Sequence, residues 1–258
     1  MRLMKRILSA AAVLALSASL LVGCSSGTAS SVPVSASSAA ESTVSSVEET
    51  ASSAVDENEA AAAQLLNDLT GSYQELWPVI LADEYKQTWL DDCTALVGED
   101  NAEAAFEKLS SMVTGDVYGE DAVKAYANGG GAYFCGFTNS LAILTFDGET
   151  STISGTDKDG NMLFSHTYHY IGMEPVRGLY EFQSDDADSG EFTYFFLAPD
   201  TSVETYHIEF RYGSDAEALS QYDTGEYAYW LASGISTDCD QTMIDNCIEL
   251  FCTENLAG

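Results

Sequence analysis

The sequence predicts an α+β domain, an antiparallel barrel-like β-sheet with helices before and after it. Two observations carry this. Helical spacing gives way at Gly129-Gly130-Gly131 to short runs rich in Tyr, Phe, Thr and Ile, and it returns after Gly213. The runs are separated by turn chemistry of the hairpin kind, such as Phe146-Asp-Gly-Glu149, Asp157-Lys-Asp-Gly160 and Ser184-Asp-Asp-Ala-Asp-Ser-Gly190. Helices segregated on either side of antiparallel strands define the α+β class.

The elements follow in order. Residues 60–80 begin as helix, with Asn67, Asp68, Thr70 and Ser72 as candidate caps before Tyr73-Gln-Glu-Leu-Trp77, and Pro78 suits the first turn of a following helix. Tyr85, Trp89, Cys93 and Leu96 stand at helical spacing over residues 85–97, and Ala105, Phe106 and Leu109 do so over 101–112. Seven strands are expected at 132–137, 141–146, 150–154, 162–171, 179–183, 191–197 and 205–212, joined into a barrel or sandwich. A short helix at about 215–220 and a Tyr-rich stretch at 222–230 come next. A clear helix at 238–254 then places Met243, Cys247, Leu250 and Phe251 on one side.

Ahead of this domain the chain reads as an export address and a tether. Residues 1–6 are short and basic, residues 7–22 are uncharged and apolar, and Leu21-Val22-Gly23-Cys24 resembles the lipobox of bacterial lipoproteins. The resemblance implies a signal peptide over 1–23 and lipid on Cys24, which anchors an extracytoplasmic protein to the membrane. The apolar run is short for a spanning helix. Residues 24–59 hold six acids, no base and no aromatic. Such a stretch buries too little apolar surface to offset chain entropy and is expected to be a disordered tether reaching on the order of 30 Å. The domain is then 60–258.

Charge excludes whole classes of partner. The 258 residues contain 9 Lys+Arg and 41 Asp+Glu, a formal charge of −32. Three of the bases precede Cys24 and all the acids follow it. Such a surface repels nucleic acid and attracts cations. Five cysteines remain after Cys24: Cys93, Cys135, Cys239, Cys247 and Cys252. An exported chain is able to form disulfides, but five is an odd number, and Cys247 and Cys252 lie too awkwardly on one helix to pair. Buried free thiols are the competing expectation. No C-x-x-C, Walker loop, H-E-x-x-H, G-x-G-x-x-G or G-x-S-x-G occurs, so no enzyme chemistry is indicated. Asp157-Lys-Asp-Gly-Asn161 lacks the closing Glu of a calcium loop and reads as a hairpin turn. The acidic loop with Asp185, Asp186, Asp188 and Glu191 reads as a solvated turn.

Candidate ligands concentrate on three histidines, all in expected strands. His166 and His169 lie at odd spacing, so they face opposite sides of a regular strand. In Thr205-Tyr-His-Ile-Glu-Phe-Arg-Tyr-Gly213, His207, Glu209 and Arg211 share one face and Ile208, Phe210 and Tyr212 the other. An imidazole and a carboxylate at i, i+2 on a strand are both zinc donors. A solvated polar face, or a Glu209 paired with Arg211, is the commoner meaning of that spacing.

Several segments together resemble the ZinT (YodA) family of exported zinc- and cadmium-binding proteins. Asp68-Leu-Thr-Gly71-Ser-Tyr73-Gln-Glu-Leu-Trp77-Pro78 is similar to that family's opening D-W-x-G-x-W-x-S-x-Y-P segment. Tyr168-His-Tyr170-Ile-Gly172 and Arg177-Gly-Leu-Tyr-Glu-Phe182 are similar to its Y-x-Y-x-G and R-G-V-R-Y-L-F-E strands. Ala198-Pro199 matches its A-P, and His207-Ile-Glu209-Phe-Arg-Tyr-Gly213 its H-F-H-I-F-M-G strand. The resemblance implies a lipocalin-like, calycin-type barrel with flanking helices. It also implies a metal role with His207 as one ligand, Glu209 in place of a second His, and Phe195 where a third His would be. Phe binds no metal and the family's His-rich segment is absent, so either His166 or His169 completes a rearranged site on the inner face of the barrel, or the metal role is weakened or lost.

The expected function is therefore a surface-tethered lipoprotein that binds zinc or another divalent metal, for capture, buffering or delivery to a metal transporter component. The alternatives are a lipocalin-like binder of a small organic ligand and a tethered interaction module without metal.

Overall fold

A computed structural model describes residues 57–198 and 207–257. Cys24, the export segment and most of the tether lie outside the described residues. A first helix, α1, is described over 57–68, so helix is present three residues ahead of the expected domain boundary.

Eight strands follow one another around a closed barrel, every neighbour antiparallel. They are β1 (Gly71–Glu75), β2 (Ile143–Asp147), β3 (Thr152–Thr156), β4 (Met162–Met173), β5 (Tyr180–Ser184), β6 (Tyr194–Leu197), β7 (His207–Gly213) and β8 (Ala232–Ser236). The expected α+β class and the barrel hold. Three strand assignments change. Residues 132–137 form no strand; Phe134 makes only isolated bridges to Thr114 and Trp230. β1 arises in a segment read as helix, and β8 was not expected at all. These two strands close the barrel by pairing with each other, Gln74 opposite Ile235. β8 is Ala-Ser-Gly-Ile-Ser, without the β-branched and aromatic content that marks strands. Its small residues serve close approach: a Cβ on Gly234 would stand 3.1 Å from Cγ1 of Ile208 on the next strand.

The interior is a solid aromatic core. Phe146, Ile153, Phe164, Tyr168, Phe182, Phe195, Phe210 and Tyr212 alternate inward along their strands and are all buried. Phe195 packs against Tyr212 at 5.4 Å and Phe164 at 5.9 Å between ring centres. Gly155 leaves the room this needs, since a Cβ there would meet Phe164 at 2.5 Å. From α1, Ala62, Leu65, Leu66 and Leu69 join the same core. At the loop before β2, the Tyr212 hydroxyl donates to the Thr138 carbonyl at 2.9 Å and accepts from the Thr138 amide at 2.6 Å.

A second core lies outside the barrel. Helices α2 (Leu76–Ile80), α3 (Lys86–Val97), α4 (Glu99–Val113) and α7 (Gln241–Leu256) pack together over Ile235 of β8. Trp89 is fully buried here and its indole N–H donates to the Ile80 carbonyl at 2.7 Å, which ties α3 to the end of α2. α7 starts where expected in kind: Asp240 caps it by accepting from the Met243 amide at 3.0 Å. α5 (Glu120–Ala127) adds a helix the sequence did not announce, and α6 (Ala216–Leu219) is capped by Asp215. No helix among the described residues is long and apolar enough to cross a membrane.

Candidate metal site

Strand alternation decides where the β7 side chains point. Ile208, Phe210 and Tyr212 belong to the barrel interior. His207 lies opposite Ile235 in register, and the Ile235 side chain lies in the helical core outside the barrel. His207 and Glu209 therefore project outward, under the helices. This corrects the expectation of a site on the inner face: the bulky apolar residues of β7 occupy that face, and its polar residues take the other.

Arg211, on the outer face too, is fully buried and anchors the segment that covers it. Its guanidinium donates to the carbonyls of Leu219, Gln221 and Tyr227 and stacks 4.4 Å over Tyr222. Arg177 stacks on Tyr222 at 4.3 Å. Buried Glu174 accepts from the amides of Val176 and Arg177 at 2.7 Å and from the Tyr222 hydroxyl at 3.4 Å. Arg211 is thus committed to backbone carbonyls, which is a structural role.

Under the helices, His207 and Glu209 share one small cavity with Cys247 and Glu254 of α7, walled by Trp77 and Phe251. Its volume is about 30 Å³, which suits an ion or a water and nothing larger. Trp77 and Phe251 meet edge to face at 4.8 Å and shut one side. Burial pushes the Cys247 thiol up to about 12, with Cys239, Glu209 and Glu254 adding negative charge. Cys135 is likewise pushed up to about 12 by burial, with Glu209 the next cause. The cavity is thus bordered by one imidazole, two carboxylates and a thiol. All are zinc donor types. Among the described residues no three His, Cys, Asp or Glu side chains already stand together at metal-holding separations.

The other two histidines go elsewhere. His166 points to the barrel's inner side at its rim, its ring 6.0 Å from that of Phe164, and its Nδ1 lies 2.7 Å from Asp186. His169 points outward, with Nδ1 2.6 Å from Asp185. They face opposite sides of β4 as expected, and β5 and β6 separate β4 from β7. Neither joins His207, which corrects the expected third ligand. The acidic loop is what claims them. Phe195, where the resemblance places a third His, is fully buried in the barrel interior. The Asp157 turn is a hairpin as expected, the carboxylate accepting from the amides of Asp159 and Asn161 at 2.9 Å.

Glu254 was not singled out from the sequence, and Cys247 was read as an apolar-face residue and a buried thiol, not as a metal ligand. The signal was present: Cys247, Leu250, Phe251 and Glu254 fall at i, i+3, i+4 and i+7, so an acid continues an apolar stripe.

No protein-family model matches the chain, and no curated protein does. Among solved structures, the chain is similar to the Zn(II)-bound ZinT-like domain of Streptococcus pneumoniae AdcA. Identity is 16% and the TM-score 0.45, over 71% of this chain and 89% of that one. It is also similar to Zn(II)-bound AdcA from the same organism, at 14% identity and a TM-score of 0.43, over 72% of this chain. It spans about a third of the length of that longer protein, 35%.

Proposed function

We propose that this protein is an exported, lipid-anchored binder of a zinc-class divalent metal, which it captures, buffers or passes to a transporter component, and not an enzyme. The observation that supports this best is the meeting of His207, Glu209, Cys247 and Glu254 at one ion-sized cavity. Two carboxylates beside a largely apolar wall favour a cation there. The metal would be cargo, with His207 and Glu209 of β7 and Cys247 and Glu254 of α7 as the residues that would hold it. The basic, apolar and Cys-terminated order of residues 1–24 supports export and lipidation of Cys24. Replacing Cys24 with Ser and labelling with a palmitate analogue tests the anchor; equal labelling of both forms overturns it.

Zinc titration by calorimetry, with thermal midpoint alongside, tests the metal. Zinc raises the midpoint of the parent, as any ligand that prefers the native state does. His207→Ala abolishes the rise, and Glu209→Gln and Glu254→Gln weaken it. No binding near neutral pH, or a His207→Ala variant that binds like the parent, overturns the reading. A second reading then takes its place. A cavity of about 330 Å³ outside the barrel, between Trp77, Pro78, Leu81 and Phe134, has the size for a small organic ligand.

A further inference from the structure

Two cysteines far apart in the chain meet in the helical core. Cys93 sits in α3 and Cys252 near the end of α7, 159 positions apart in sequence and with 3.9 Å between their sulfurs. Both are fully buried. The two sulfurs are in van der Waals contact, on helices that pack against each other within one core. Cys135, Cys239 and Cys247 are also free thiols, and the chain as described holds no disulfide. We infer that Cys93 and Cys252 become a disulfide in the mature protein, one that staples the last helix to α3.

The inference rests on the export reading, because a structural disulfide persists only in an oxidising compartment. The chemistry balances with a disulfide oxidant of the glutathione or dithiol-oxidase class. A thiolate of one cysteine attacks the oxidant and releases one thiol, leaving a mixed disulfide. The second cysteine then attacks that mixed disulfide and releases the other thiol. The two protein thiols lose two protons and two electrons, and the oxidant gains them. Burial raises both thiols above their ordinary range, so the closed fold reacts slowly. The bond forms while α7 is still undocked from α3 and both thiols are open to the oxidant.

The pairing also bears on the cavity described above. Cys252 lies between Phe251 and Glu254, two residues that border it. A staple at 252 holds that wall in place.

The test uses the full chain carrying Cys24→Ser, unfolded in urea with reductant and refolded in a glutathione redox buffer. Alkylation before and after reduction, followed by peptide mass mapping, is expected to find Cys93 joined to Cys252 and the other three thiols free. Reduction of the unsubstituted pair is expected to lower the thermal midpoint by roughly 5–15 °C, because the bond closes a very long loop. Cys247→Ser leaves the crosslink unchanged, and Cys93→Ser leaves Cys252 alkylated without reduction. Free thiols at both positions after refolding, or a bond to another cysteine, overturns the pairing itself. A bond that forms on refolding but is missing from protein recovered from cells overturns the proposal through its cellular premise instead.

Discussion

The barrel interior and the seam between β7 and α7 are built from the same strand yet differ in almost every chemical respect. Ile208, Phe210 and Tyr212 face a core of rings in which the Tyr212 hydroxyl is spent on Thr138. His207 and Glu209, one residue out of phase, face a cavity that holds a thiol and a second carboxylate. A two-residue period therefore places inert packing on one side of a single strand and donor chemistry on the other. The filled interior offers no room for a ligand, and the small cavity lies on the outer face, between β7 and α7.

The sharpest way to break this comparison is to put a donor on the wrong side. Phe195→His places an imidazole where the family resemblance would have a ligand, but inside the aromatic core. It creates no zinc site and costs about 4 kcal/mol, of the order of a Phe truncation in a core with an unpartnered polar group added. Denaturant unfolding measures the loss, and zinc titration checks that none is recovered. A zinc-dependent recovery of stability would show that the interior, not the seam, is the metal side.

Arg211 gives the next effect. Arg211→Met keeps apolar bulk but withdraws the donors from the carbonyls of Leu219, Gln221 and Tyr227. The expected cost is about 3 kcal/mol from buried acceptors left unmade. Hydrogen exchange is expected to rise in residues 214–231 and not in β2 or β3. Uniform exchange across the barrel would mean that Arg211 supports the whole fold.

Most of the barrel was legible in the sequence, and the misreadings have physical causes. Strands β2 to β7 announce themselves through aromatic runs and hairpin turns, because each is a local hairpin unit. β1 and β8 do not, since they are defined by pairing across the whole length of the domain. β1 takes Tyr73, Gln74 and Glu75 from a run that suits a helix, and the run turns helical only at Leu76, because closure demands a strand before it. The site was half legible. His207 and Glu209 were singled out by their spacing together with the family resemblance, but which side is inner depends on the neighbours of Ile235. Glu254 comes from an element 45 residues further on than Glu209, and no local pattern joins them. His166 and His169 were drawn toward the site by residue type and are held away from it by Asp186 and Asp185.

The pH response separates the two regions on a smaller scale. Cys135 and Cys247, both bordering the helical side, have thiols pushed up to about 12 by burial. A raised folded-state value means the unfolded chain loses its protons first. Stability is therefore full below the ordinary thiol value near 8.5 and is lost as pH climbs toward about 12. At pH 10 each thiol is expected to cost about 2 kcal/mol relative to neutral pH. Cys247→Ala removes its share of that slope, which thermal midpoints across the alkaline range would reveal. An unchanged slope would mean that Cys247 is open to solvent and not buried at the seam.

The smallest effects belong to β4. His169 pairs with Asp185 where both side chains are about half exposed, 52% and 54%. Water screens such a pair, so His169→Ala is expected to cost under about 0.5 kcal/mol. His166 is less exposed, at 15%, and its ring lies against Phe164. His166→Ala is therefore expected to cost somewhat more, about 1 kcal/mol, through lost contact and not through charge. Neither change is expected to alter zinc binding, because β5 and β6 stand between β4 and the cavity under α7. This is where the placement of the site is most exposed to refutation. His207→Ala and His169→Ala remove the same chemical group from two strands of one barrel, so any general effect of losing an imidazole appears in both. A zinc affinity that falls equally in the two variants would mean that surface histidines bind the metal without a built site. A fall in His207→Ala alone assigns the binding to the seam.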